Sequence, residues 1–139
     1  MTDFDNCLQK GLLKKSEDSK NWVLKELQIA EKFLNSSKKN IEIEEFEMSI
    51  IAAYDSLFHS CRALLFKQGI VEKSHYCLIA ALKELFKQDN ELQAFLKSID
   101  QVRASRHRLQ YSGDSAGKKE AEFVLGLAKD FLEFARGKI

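Results

Sequence analysis

The sequence predicts an all-α fold, an antiparallel up-and-down helical bundle of four to five main helices. Three observations predict it. The 139 residues include no proline and only six glycines, so the residues that most often interrupt helices are scarce. Apolar residues recur at steps of three and four almost everywhere, and strand-like alternation is almost absent. The polar connections between these segments are short, which suits antiparallel neighbours around one core. The length fits a single domain, residues 1–139. With 45% apolar and 31% charged residues, the chain can bury enough surface to fold without a metal or disulfide staple.

Each element has its own signal. A first segment, about Asp3 to Lys15, carries Phe4, Leu8 and Leu12 at spacings of four. Ser16 to Ser19 are capping-type residues that interrupt it. A second helix follows to about Asn35, with Trp22, Ile29, Ala30, Phe33 and Leu34 as its apolar positions, and NSSKKN at 35–40 reads as a loop. The third helix, about Ile43 to Gln68, is the best patterned, with Phe46, Ile50, Ala53, Tyr54, Leu57, Phe58, Cys61, Leu64 and Leu65 on one stripe. Gly69 stands where a left-handed C-cap is expected. Ser74 reads as the N-cap of a short helix from His75 to Lys87. After a polar break at Gln88 to Asn90, a helix spans about Glu91 to Leu109. A glycine-containing loop, YSGDSAGK at 111–118, precedes the last helix, about Lys118 to Arg136. Phe58, Leu65, Leu125 and Phe131 are expected to supply much of the core. Phe123, Leu127 and Phe134 form a second stripe on the last helix. It fits either a second copy of the chain or a helix flanked on two sides.

Composition excludes several classes. Lys plus Arg is 22 against 21 for Asp plus Glu, a formal charge of +1, which argues against coating nucleic acid by bulk charge but leaves a local basic patch open. Cys7, Cys61 and Cys77 are odd in number and form no Cys-x-x-Cys pair, so three reduced cysteines in a cytoplasmic protein are expected. No signal-type start and no long apolar run occur, so no membrane segment is expected. Phosphate-loop, dinucleotide, nucleophile-elbow and His-Glu-x-x-His motifs are absent. His59, His75 and His107 lie on different predicted helices without i, i+4 pairing, so neither a metal nor a cofactor is expected.

Two polar clusters stand out. Asp55, His59 and Arg62, at i, i+4 and i+7, share one edge of the third helix. They read either as an ordinary polar ladder or as the wall of a ligand groove in which a histidine titrates near neutrality. Arg103, Arg106, His107 and Arg108, followed by Tyr111, gather three of the five arginines of the chain. Guanidinium forks suit phosphate oxygens, so this cluster points to an anionic ligand; its alternative is a basic helix end complementing the macrodipole.

At these clusters the chain resembles the HEPN-domain family. The run Ala53-Tyr54-Asp55-Ser56-Leu57-Phe58-His59-Ser60-Cys61-Arg62-Ala63-Leu64-Leu65, then Gly69 and Lys73-Ser74-His75, is similar to the family's AYYAxFHAARALL…G…KSH stretch. The segment from Arg106 to Gly113 resembles the family signature of an arginine, a polar residue and a histidine five positions after the arginine. The final helix, Lys119-Glu120-Ala121-Glu122 through Phe134, fits the family's last helix. The likeness covers about residues 43–136, and residues 1–42 are less characteristic. It implies a helical bundle that pairs as a homodimer around a shared cleft. Active relatives are metal-independent ribonucleases, often toxins partnered by a minimal nucleotidyltransferase, in which the signature arginine and histidine handle the RNA phosphate and the 2′-hydroxyl. Arg106 matches the signature arginine, His107 the polar residue, and Tyr111 stands where the histidine would be, as in a small single-domain branch of the family. A tyrosine, with an ordinary pKa of about 10, is a hydrogen-bond donor at neutral pH and a poor general base. The resemblance therefore implies a non-catalytic nucleotide- or RNA-binding or protein-interaction module, with ligand contacts at Arg62, Arg103, Arg106, Arg108, His59 and Tyr111. Its alternative is a metal-independent ribonuclease acting at a dimer cleft around Arg106.

Overall fold

A computed structural model describes all of residues 1–139. Six helices dominate it: α1 (Asp3–Gln9), α2 (Val23–Glu42), α3 (Phe46–Lys67), α4 (His75–Leu85), α5 (Asn90–Tyr111) and α6 (Lys118–Lys138). Between them lie a 3₁₀ helix (Glu17–Trp22) and an antiparallel ribbon of β1 (Leu13–Lys15) and β2 (Ile70–Glu72), with Leu13 opposite Glu72. The fold is the expected all-α bundle. No helix is long and apolar enough to cross a membrane.

The centre is α3. It packs most extensively on α2, then on α6, and its remaining sides meet α4, α5, β2 and the 3₁₀ helix. A helix contacted all round must be apolar or small all round. Accordingly α3 buries Ile50, Leu57, Leu64, Leu65 and Phe66 alongside Ala52, Ala53, Ala63 and three serines. Leu65 and Phe131 are fully buried as expected, whereas Phe58 and Leu125 are only partly buried and pack against the edge of the core. Phe58 instead faces His59, His75 and Arg62, a matter of tertiary placement that periodicity does not register.

Several local signals resolve as read. Gly69 has φ +73° just after α3, and its carbonyl accepts from the Ser16 N–H at 2.7 Å. The Ser74 hydroxyl accepts from the Cys77 N–H at 3.3 Å, capping α4. Asp89 does the same for α5 through the Leu92 N–H at 3.0 Å.

Three expectations are corrected. NSSKKN is not a loop but the last turns of α2, because Ser37 is buried against α3: its hydroxyl meets that of Ser49 at 2.9 Å, and the Ser49 hydroxyl donates to the Ser37 carbonyl at 2.9 Å. The real turn is Ile43 to Glu45, where Glu44 takes a left-handed φ of 61°. The first helix stops at Gln9, not Lys15; Gly11 turns the chain at φ +72° and Leu13 to Lys15 pair with β2. Finally, Cys7 and Cys77 form a disulfide across 70 residues of sequence, leaving only Cys61 reduced and buried. Their pairing depends on α1 meeting α4, which spacing along the chain cannot reveal.

The second apolar stripe of α6 is partly satisfied within the chain. Phe95 of α5 lies 5.1 Å, centroid to centroid, from both Phe131 and Phe134, and Leu127 packs on the core edge. Phe123 remains 65% exposed.

Phe131 has no exposed surface and stands between Phe95 and Phe134. Phe131→Ala should cost about 3–5 kcal/mol, the range for emptying an aromatic core position; urea unfolding measures it, and a loss under about 1 kcal/mol would contradict this packing.

Candidate functional site

Three elements converge on one groove. Helix α4 contributes His75 as its first residue, α5 contributes Arg103, Arg106 and His107 from its last three turns, and Tyr54 and Asp55 in the third turn of α3 stand behind them. The groove encloses about 520 Å³ and is lined by His75, Arg103, Ala104, Arg106, His107 and Arg108. A larger cavity, about 610 Å³ at the turn between α4 and α5, mixes Glu84 and Asp89 with Lys87 and Lys138. The groove is set apart because, Ala104 aside, its lining side chains are all arginine or histidine, with no carboxylate among them.

Arg106 is the distinctive residue. Arg62, Arg103, Arg108 and Arg136 each hold a carboxylate: Glu26 and Glu72, Asp100, Asp114 and Glu31 respectively. Arg106 has no ion-pair partner. Its guanidinium instead lies over the Tyr54 ring, 5.2 Å from the centroid, and its Nε–H is buried without an acceptor. Stacking on an aromatic face orients a guanidinium while leaving its other N–H groups unused, and a buried donor without an acceptor is an unmet cost.

The floor is a run of stacked rings. Tyr54 and His75 stack at 5.9 Å, and the Tyr54 hydroxyl lies 3.0 Å from His75 Nδ1. His75 also stacks on Phe58 at 4.2 Å. Burial, opposed only in part by Arg106 and Arg103, pushes the Tyr54 hydroxyl up to about 12, so it keeps its proton at neutral pH. Burial first, then the cations Arg106, Arg103, Arg62 and His59, hold His75 below its ordinary value. The ring is therefore neutral near pH 7. Asp55 is raised by burial, an effect that Arg106 and His59 partly offset.

The other sequence-predicted residues fall around this centre. His107 and Arg108 line the groove, and His107 packs on Tyr111 at 4.9 Å. Tyr111 is 69% exposed at the end of α5. His59 and Arg62 lie on the α2-facing edge of α3, outside the groove lining. His59 Nδ1 is 2.5 Å from Oε2 of buried Glu26, and its ring stacks on Phe33. Arg62 bridges Glu26 at 3.3 Å and Glu72 at 3.2 Å while lying over Phe66 at 4.8 Å. Burial raises Glu72 more than Arg62 lowers it. The sequence places Tyr54 on the core stripe of the third helix, where it is buried, but gives neither Tyr54 nor His75 a part in the groove and does not point to Glu26. The available signal for His75 was its place directly after the Ser74 cap; for Glu26, separated from His59 by a helix hairpin, there was none.

Taken together, the arrangement can receive an anion, hold it with two guanidinium groups and present imidazole N–H donors beside them. Comparison with known proteins gives two results. A HEPN domain family model matches residues 23–138. A protein of Methanocaldococcus jannaschii named Putative toxin MJ0605 is 26% identical over 125 residues, which span 89% of this chain and 92% of that protein.

Glu26 is 6% exposed and faces both His59 and Arg62. Glu26→Ala should destabilise the fold by about 3 kcal/mol, the low end for removing one partner of a buried ion pair, because Arg62 keeps Glu72. Thermal or urea unfolding reads the loss, and an unchanged midpoint would mean that the network is not held in solution.

Proposed function

The chain belongs to the HEPN domain family, and from that premise we propose that it is a non-catalytic HEPN module that binds a nucleotide or RNA phosphate in the groove between α3, α4 and α5. One observation carries this reading: Arg106, alone among the five arginines, has no carboxylate and is aligned on Tyr54 with a buried donor left over. Arg103, paired to Asp100 at 3.3 Å, and Arg108, paired to Asp114 at 3.7 Å, are half-engaged helpers that a stronger anion can recruit.

The absence of catalysis is argued from Tyr111. It occupies the place of the signature histidine, lies exposed at the helix end and contacts His107. A phenol there donates hydrogen bonds but does not take a proton from a 2′-hydroxyl at neutral pH. A metal-independent ribonuclease acting around Arg106 is the second reading, favoured by the presence of two imidazoles, His75 and His107, in the same groove.

The module acts as a homodimer and works with a nucleotidyltransferase partner in a toxin–antitoxin-like pair. The exposed Phe123, beside the partly covered Leu127 and Phe95, supports the first part. The archaeal relative's name, a toxin, supports the toxin–antitoxin part of the second, and the nucleotidyltransferase partner rests on the resemblance to the family.

Arg106→Ala should weaken binding of a short single-stranded RNA by about 1.5–3 kcal/mol, the range for a hydrogen bond to a charged group. Anisotropy at low salt measures this, and equal affinities would reject the groove. The nuclease-free protein should leave RNA intact between about pH 6 and about pH 8, and cleavage should appear only in Tyr111→His. Cleavage by the unmodified protein that Arg106→Ala abolishes would make it an enzyme. Light scattering tests assembly: a species of only 16.0 kDa at high concentration would rule out the homodimer.

A further inference from the structure

His75 is held more tightly than a surface histidine needs to be. Its ring is clamped between Phe58, 4.2 Å away, and Tyr54, whose hydroxyl meets Nδ1 at 3.0 Å. The same first turn of its helix is tied to α1 by the Cys7–Cys77 disulfide. The Tyr54 hydroxyl is buried and has no other hydrogen-bond partner. Since it keeps its proton, it donates to Nδ1. The proton of the neutral ring then sits on Nε2, which assigns the tautomer by its partner. His75 thus offers the groove a fixed N–H donor rather than a proton acceptor.

The charges around it are one-sided. Arg103 and Arg106 of α5 and His59 and Arg62 of α3 all act on the ring as cations. His107 and Arg108 of α5 line the same groove. Asp55 of α3 interacts with Arg106 and His59; Asp3 of α1 is engaged with Tyr76, the neighbour of His75, and Glu72 of β2 with Arg62. No carboxylate compensates a charge on His75 itself, so the free groove disfavours a further cation. An anion seated between the guanidinium groups reverses that balance.

We propose that His75 is a third phosphate-binding residue of the groove, donating through Nε2 to the anion held by Arg106 and Arg103 and taking up a proton on Nδ1 as that anion arrives, the Tyr54 hydroxyl then turning to accept from the Nδ1–H. The inference rests on the groove being the phosphate site. The sign follows from linkage. Free His75 titrates below the ordinary histidine value, and a bound phosphate favours its charged form. Affinity for RNA therefore rises as pH falls through the value of the bound state and levels off below that of the free state. Phosphodiesters keep one negative charge throughout this range, so the change belongs to the protein. In physical terms the groove is empty-handed at high pH only by one charge; Arg106 and Arg103 still bind, and His75 adds pH sensitivity on top.

The test is anisotropy with a labelled short single-stranded RNA at constant salt, from about pH 8 down to about pH 5.5, on the full chain and three variants. The unmodified protein should bind roughly tenfold tighter at the lower end, the scale set by uptake of one proton. His75→Gln keeps a donor but cannot titrate, so its affinity should be nearly independent of pH. Asn35→Ala, at an exposed position of α2 outside the groove, should retain the full dependence. If Arg106→Ala leaves affinity unchanged, or no RNA binds, the groove itself is not the site and both readings fall. If Arg106→Ala weakens binding but His75→Gln keeps the pH dependence, only the role of His75 falls. Because His75 also packs on Phe58, the unmodified protein provides a second measurement. The His75 imidazole resonance, titrated by NMR with and without the RNA, should move to a higher midpoint when RNA is bound, and an unmoved midpoint would overturn the proposal.

Discussion

Helix α3 has thirteen of its twenty-two residues withdrawn from water, and the polar groups it carries must therefore be answered by neighbouring helices. This constraint shapes the molecule. Where α2 passes, His59 and Arg62 meet Glu26, and Ser49 meets Ser37. Where the ribbon passes, Arg62 meets Glu72. Where α4 begins, Tyr54 meets His75. Each pairing offsets a desolvation cost that α3 incurs by lying at the centre. The small residues Ala53, Ser56, Ser60 and Ala63 let the neighbours approach closely.

Compensation is incomplete for the buried Ser56 and Ser60 hydroxyls of α3, and in the groove it is incomplete for a charged group. Arg106 brings a guanidinium to Tyr54, and its charge is answered by a ring face, not a carboxylate. A ring face gives a fraction of what an ion pair gives in a desolvated setting. Arginines held by carboxylates and the one without a carboxylate are thus separable here by inspection. Arg62, sandwiched between two carboxylates and two phenylalanine rings, is fully committed to the fold. Arg106 is positioned but uncommitted. A continuous path of rings, from Phe33 through His59, Phe58 and His75 to Tyr54, joins the two regions and fixes their spacing.

The disulfide places a second restraint on the same site. Cys77 lies two residues after His75 and is joined to Cys7 of α1, while β1 pairs with β2 just before Ser74. The first turn of α4 is therefore held at its entrance by the ribbon and at its base by a covalent link. The N-terminal residues, the least characteristic in sequence, act structurally as a brace for the imidazole end of the groove. A link spanning 70 residues also restricts the unfolded chain, which stabilises the fold by limiting its alternatives.

The sequence by itself determined the all-α class, the placement of α3, α5 and α6, the Gly69 turn, the Ser74 cap and the arginine cluster on α5. All of these depend on residues within a turn or two of one another: a 3.6-residue period, a cap hydroxyl three residues from its N–H, a glycine at positive φ. Tertiary structure decided the rest. Whether 35–40 is loop or helix depended on Ser37 finding Ser49, and whether Lys14 is helical depended on β2. That Arg62 and His59 serve Glu26 while Arg106 stays free depended on which helix faces each edge of α3. Tyr54 and His75, and Cys7 and Cys77, come together from 21 and 70 residues apart. Local propensity is encoded in neighbouring residues, but an ion pair, a ring stack or a disulfide is chosen by the packing that brings distant segments within a few ångströms, and one sequence read in order contains no term for that distance.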